Sequence, residues 1–305
     1  MFVQGAANLL FRPGLRKDFL DELMGYEDEF SQFLKQSTMD GPEIAATIMV
    51  GMPRLYEIGD GEAIPYDVPK MGPKVMGVDK EFALGFAVTR KTVEDDLYNK
   101  ANQSAKWLGH AVNMTKEYRS AALLDDAFTG TSFKGIDNLK LFSTAHTLIN
   151  SATTVANTPA STAQVGLSMA GIVALQNLAM TCKDENGDPQ KVNLDTILIG
   201  NSATNLNKVR QIFESDKEPF TADNQDNQAK RAYPSMKIVK SVYSASTTNY
   251  MMFDSKLNDC HFVTRRAPLF EDDNDFNTGA ALFKVSTRFL IWFVNWKGWY
   301  GQNPS

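Results

Sequence analysis

Apolar residues recur at steps of three and four in some stretches of this chain and at every second position in others, which predicts a mixture of helices and strands. The longest helical pattern opens at Thr92, a good N-cap, with Glu94, Asp95 and Asp96 at the positive end of the helix dipole. Val93, Leu97, Ala101, Ala105, Leu108 and Val112 give it one apolar face. No proline interrupts it before Phe128, and at ~1.5 Å per residue it would reach ~50 Å. Gly109 marks a place where it could kink. Ser168 caps a second helix carrying Ile172, Val173, Leu175, Leu178 and Ala179, and Ser202 starts a third through Leu206, Val209 and Phe213.

Strands are predicted at 45–58, 82–90, 194–200, 236–243, 249–254 and 260–264. A closing strand over 280–296 places Phe283, Val285, Phe289, Ile291 and Phe293 on one face and then turns apolar on both, as a strand does when it becomes buried on both sides. Between the first two strands, Gly59-Asp60-Gly61 offers a turn, and Pro65, Pro69 and Pro73 exclude a helix or a central strand. The two strands therefore read as a long projecting hairpin, 51–90, with a proline-rich, charged tip. An isolated hairpin is marginal in water, so this one is expected to lie on another molecule. Before it, residues 1–50 read as an arm in which Phe11, Leu15, Phe19, Leu20 and Leu23 alternate with charges and Gly14 and Gly25 intervene. Helical stretches are expected there, but not a stable helical domain.

Composition adds mostly exclusions. The 305 residues are 43% hydrophobic and 22% charged, enough for a real core. The net charge of −5 argues against tight binding to nucleic-acid phosphates, which depends on clustered Lys and Arg. Two cysteines, Cys182 and Cys260, make neither a disulfide framework nor a paired metal motif. The N-terminal sequence is a poor secretion signal, and no apolar run approaches the ~20 residues of a membrane helix. A soluble product of the cytoplasm is expected.

The chemistry-bearing residues assemble into no site. Ser143 and His146 lack an accompanying carboxylate or oxyanion-hole pattern and read as part of a turn. Cys260 and His261 are adjacent on a strand and point to opposite faces. Asp184, Asn186 and Asp188 begin like a calcium loop, but Pro189 stands where that loop needs glycine. Glu271, Asp272, Asp273 and Asp275 read as a solvated acidic loop. No phosphate loop or dinucleotide fingerprint is present. No catalytic, metal or cofactor site is expected.

The order of parts resembles the Hong Kong 97 (HK97) capsid fold of tailed-bacteriophage major capsid proteins. FALGFAVTRKTVEDDLY at 82–98, LFSTAHT at 141–147 and the segment 182–215 resemble, more narrowly, the Mu-like major head subunit family. The resemblance implies an α+β fold divided as arm (1–50), extended loop (51–90), peripheral domain with spine helix (91–160), α/β axial domain (161–265) and peripheral closing strand (266–305). It implies a non-enzymatic subunit that assembles as hexamers and pentamers into an icosahedral shell around double-stranded DNA. It further implies a separate scaffolding protein, a portal, optional decoration proteins, and assembly in the host cytoplasm. A shell protein of an encapsulin-like bacterial nanocompartment is the alternative. Charged groups about the loop tip, Arg54, Glu57, Asp60, Glu62, Lys70, Lys74 and Lys80, are the expected inter-subunit contacts. Some relatives join a loop lysine covalently to an asparagine, a role open to Lys70, Lys74 or Lys80.

Overall fold

The computed structural model describes residues 4–89, 91–92, 100–217, 226–275 and 278–304, with side chains from residue 14 onward. Two four-stranded sheets organise the chain. The first has the order β1 (Lys35–Thr38), β10 (Cys260–Asn274), β11 (Ala281–Phe293), β4 (Lys80–Val88). The second has the order β12 (Trp299–Gln302), β9 (Tyr250–Phe253), β7 (Thr196–Ile199), β8 (Lys237–Lys240). A two-stranded ribbon, β2 (Glu43–Val50) with β3 (Lys70–Val78), stands apart, as does the short pair β5 (His146–Thr147) and β6 (Thr154–Val155).

The second sheet is the expected α/β unit. It carries α3 (Met169–Met180), α4 (Ala203–Glu214) and the short α5 (Gln228–Ala232) over a core of Ile172, Leu175, Ile197, Ile199, Val209, Ile212, Met252 and Tyr300. Two of the three sequence-assigned caps form, with Ser168 Oγ accepting from Gly171 N and Ser202 Oγ from Asn205 N, each at 3.3 Å. At Thr92 it is instead the backbone N that donates, to Thr89 Oγ1 at 3.3 Å. The final strand, β12, joins this sheet beside β9, and β10 runs unbroken through residue 265. The expected division at 265/266 therefore falls inside β10, at a register shift between Thr264 and Arg266, and the segment 266–305 contributes to both sheets.

The spine helix α2 is described over Lys100–Asp126; Val93, Glu94, Asp95, Asp96 and Leu97 lie outside the described residues. Gly109 is not a break. It is where α2 meets α1 (Gln4–Met24): a Cβ there would lie 2.9 Å from the Phe19 carbonyl oxygen. Leu15 and Phe19 of α1 pack on Ala101, Ala105, Leu108 and Val112 of α2. The first part of the arm is thus one continuous helix, Gln4–Met24, seated on its own chain, and the rest supplies β1 and β2. The isolated sequence of α1 is a weak helix, and packing against the spine supplies what propensity does not.

The hairpin differs from expectation in its pairing. β2 pairs not with 82–90 but with β3, and β4 runs antiparallel to β11 in the first sheet. Phe82 and Phe86 of β4 explain the choice: they stack on Phe289 and Phe283 at 4.6 and 5.1 Å between centroids, contacts a projecting ribbon would forgo. Pro73 is accommodated inside β3 because the register slips there, between the pairs Thr47–Lys74 and Met49–Met71, where no ladder bond needs its missing N–H. Of the acidic run, Glu271, Asp272 and Asp273 are likewise not in a loop, while Asp275 follows the strand's end. The first three lie at the far end of β10, with Glu271 opposite Lys284.

Candidate assembly surfaces

Residues 51–69, between β2 and β3, contain no helix or strand, and every residue from 54 to 71 is exposed. Leu55 is 100% exposed and Tyr66 93%, and Met52, Tyr56, Ile58, Ile64 and Val68 share their exposure. Other large apolar groups are exposed singly or in pairs elsewhere, Trp107 and Met180 among them, but this short segment gathers seven. Scattered exposed apolar residues are ordinary, but a contiguous set marks a contact surface. Four carboxylates (Glu57, Asp60, Glu62, Asp67) against one arginine make the tip acidic.

The seven sequence-assigned residues divide into three groups. Arg54 pairs within the chain with Asp188 at 2.6 Å, and Lys70 Nζ donates to Asn150 Oδ1 at 2.7 Å, so both help hold the ribbon's base against the segments at 150 and 184–189. Asn186 Nδ2 adds a bond to the Gly51 carbonyl at 3.0 Å. Glu62 Oε2 accepts from Gly59 N at 3.0 Å and shapes the turn at the tip. Glu57, Asp60 and Lys74 are exposed and point to solvent, and Lys80 begins β4. The sequence-assigned charges are thus partly internal braces. The exposed apolar groups between them, which sequence reasoning passed over in favour of charge, are the larger feature.

The ribbon is not loosely hung. Asp79, the one residue between β3 and β4, has a side chain 1% exposed and lies between two arginines. Its Oδ1 accepts from Arg265 Nη1 at 3.1 Å and Arg288 Nη2 at 3.3 Å, and its Oδ2 lies 2.7 Å from Arg288 Nε. Gly77 completes the seat, since a Cβ there would meet Leu290 Cδ2 at 2.4 Å and the Trp292 ring at 3.0 Å. Ile44, Ala46, Ile48 and Val75 of the ribbon then pack on Met39, Val263, Leu290, Trp292 and Val294. Packing and a buried charge cluster fix the ribbon's root.

A groove of about 150 Å³ opens beside that root, between α2 and strands β4 and β11. Phe82, Ala122, Phe289 and Ile291 line it together with Lys80, Arg119 and Asp126, whose carboxylate is already held by the backbone N–H groups of Thr131, Ser132 and Phe133. Arg119 lies 5.1 Å over the Phe82 ring. A second depression, lined by Leu84, Ala111, Thr115 and Val285, shares Phe82 and continues the track along α2.

The candidate chemistry resolves into structure. His146 is fully buried, with Nδ1 2.5 Å from Asp137 Oδ2 and Nε2 3.2 Å from Asn157 Oδ1, and its ring stacks 4.1 Å from that of Trp296. Asn157 Nδ2 donates to the carbonyls of Leu141 and Trp299, so the cluster ties the 141–157 segment to the chain's end. Ser143 meets Asn157 through its backbone N–H and is not paired with His146. Burial pushes the thiols of Cys182 and Cys260 up, away from the thiolate form. Asp184 Oδ1 accepts from the backbone of Asn186 and Asp188 in a turn at Gly187, φ +89°. Among the described residues no group of three His, Cys, Asp or Glu is placed to hold a metal ion.

No family profile and no curated sequence matches the chain. Solved structures do. The capsid of a native GTA particle aligns over 92% of both chains at 11% identity with a TM-score of 0.58. The capsid of cyanophage P-SCSP1u covers 90% of this chain and 88% of its own at 14% identity, TM-score 0.57. This chain has the HK97-type capsid fold. A virus-like particle from Pyrococcus furiosus shares it over 96% of this chain and 99% of its own, at 11% identity and TM-score 0.53. The capsid fold accounts for the order of arm, ribbon, spine helix and two sheets.

Proposed function

We propose that this chain is the major capsid protein of a tailed bacteriophage, a non-enzymatic subunit that assembles with copies of itself into rings and then a closed shell around double-stranded DNA. The observation that carries this reading is the ribbon tip at 54–71, exposed throughout and rich in apolar residues, on a capsid fold. A segment that buries nothing in its own chain is stabilised by a neighbour, and the contact is head to tail: the tip of one copy meets a different surface of the next. That surface is the groove about Phe82. Its apolar lining matches the apolar character of the tip, and Lys80 and Arg119 oppose the tip's excess of carboxylates, the Asp126 carboxylate being already engaged. The exposed ion pairs are worth only ~0–1 kcal/mol each and set register, while apolar burial carries the affinity. A scaffolding protein and a portal belong to the same reading, as does a loose, sequence-independent relation to the packaged DNA. An encapsulin-like nanocompartment shell would use the same contacts and differ in its contents, so nucleic acid extracted from purified particles separates the two.

A charge exchange tests the contact. Lys80→Glu with Arg119→Glu is expected to slow assembly at least tenfold by light scattering, and adding Glu57→Lys and Asp60→Lys should restore much of the rate. Normal assembly by the first pair of changes, or no recovery with the second, assigns the tip to another surface.

A further inference from the structure

Apart from these surfaces, ionisable groups gather where the arm, the spine helix and the second sheet meet. Glu117, midway along α2, is 2% exposed. It accepts a hydrogen bond from the Glu29 backbone N–H at 2.7 Å. Glu29 reaches on with its own carboxylate, whose Oε2 accepts from Val242 N at 3.0 Å in the loop after β8. Tyr243 of that loop meets the Tyr26 hydroxyl at 2.8 Å and sets its ring edge-on to Tyr118 at 5.1 Å. Three segments far apart in sequence are thereby joined around one buried carboxyl.

The charges facing Glu117 come from two elements. Asp28 and Glu29 approach from the arm, and Lys116, its neighbour on α2, faces both Asp28 and Glu117. Three carboxyls and one ammonium, partly withdrawn from water, cannot all ionise cheaply. Burial is the largest influence on Glu117 and pushes it up to about 7; the charges of Glu29 and Asp28 add to the rise, and the backbone N–H groups of Glu29 and Phe30 oppose it. Burial raises Asp28 as well, against the pull of Lys116.

We propose that Glu117 is a proton-operated clasp joining the arm at 25–33, the spine helix and the loop at 241–246, closed when its carboxyl is neutral and loosened when it ionises. The sign follows from linkage. A carboxyl raised in the folded state binds its proton more tightly there than in the unfolded chain, so the stability it contributes is fully present below its ordinary range, near 4.5, and is lost as pH rises through about 7. The clasp connects the arm to the loop after β8, and a core shared by both sheets (Leu198, Met251 and Phe253 with Phe262, Phe289 and Phe293) stays packed when it opens, so the loosening is confined to these segments. The second anchor of the same loop, Asp125 accepting from Ser244 Oγ at 2.7 Å and Ala245 N at 3.1 Å, keeps the loop attached to α2 when the clasp opens. The inference concerns one chain and stands whether or not the chain builds shells.

Hydrogen exchange of the 305-residue protein, expressed as protection factors at pH 5.5 and 8.5, tests it. Protection of 25–34 and 241–246 should fall at least tenfold between the two, while the core of β7 and β9 stays unchanged. Glu117→Gln, which keeps an acceptor for Glu29 N without the charge, should hold the acid-like protection at both pH values. Constant or rising protection in the unmodified chain overturns the clasp, whatever the variant does. An unaltered pH response in a folded Glu117→Gln protein overturns the assignment to Glu117.

Discussion

Replacing residues 55–68 with a glycine-serine segment of equal length gives a folded chain that no longer forms particles. The fourteen removed positions are all exposed and have no part in the four core clusters. Both braces of the ribbon root, Arg54 with Asp188 and Lys70 with Asn150, remain. Thermal stability should therefore change by no more than about 1 kcal/mol. Association loses far more. Leu55, Tyr56, Ile58, Ile64, Tyr66 and Val68 go together, and fully burying one large apolar side chain is worth ~1.5–3 kcal/mol. Ordering costs absorb part of the total, yet a contact repeated at every neighbour in a ring does not survive losing the remainder. Sedimentation velocity checks both halves of the result: a single slow boundary of folded protein is expected, and particles formed by the variant would show that the tip is dispensable.

The second large effect is expected at the ribbon's root. Asp79→Ala leaves Arg265 and Arg288 sharing a partly covered site with no counter-ion. Breaking a buried pair from one side costs ~3–5 kcal/mol, and the guanidinium groups, 22% and 30% exposed, place the loss near the lower end. A fall in Tm of roughly 5 °C or more follows, with a larger local consequence, because the ribbon's direction is set where Asp79 turns the chain from one sheet into another. Asp79→Asn, which retains an acceptor, should fall between. A melt of Asp79→Ala within 1 °C of the unmodified chain would show that Gly77 and the apolar seat suffice alone.

Much of the architecture was legible from the residues. The caps at Ser168 and Ser202, the buried run at 196–199 and the doubly apolar end of β11 each obey a local rule, and each appears where that rule places it. The ribbon was legible as a projection but not in its pairing. The strands 70–78 and 80–88 are separated by one residue, and nothing local says that Asp79 is a corner; its partners lie 186 and 209 positions away. The arm was underestimated for the same reason: Leu15 and Phe19 look stranded until α2 is present to receive them, with Gly109 granting the close approach. At the tip, charge drew notice because charges are easily paired on paper, while the meaning of Leu55 and Tyr66 depends on knowing that none of the described residues covers them. Glu117 did leave a signal. Asn113, Glu117 and Ser120 form a polar stripe at helical spacing on a face that is otherwise buried, and a polar stripe facing inward asks for partners.

The central claim is that this chain builds closed shells through its ribbon tip, and electron microscopy of the protein, concentrated alone and co-expressed with a scaffolding protein from the same source, tests it most directly. Rings of five and six subunits and closed polyhedral particles, each tip lying over the Phe82 groove of a neighbour, are the predicted result. Compact monomers that persist under both conditions would contradict it.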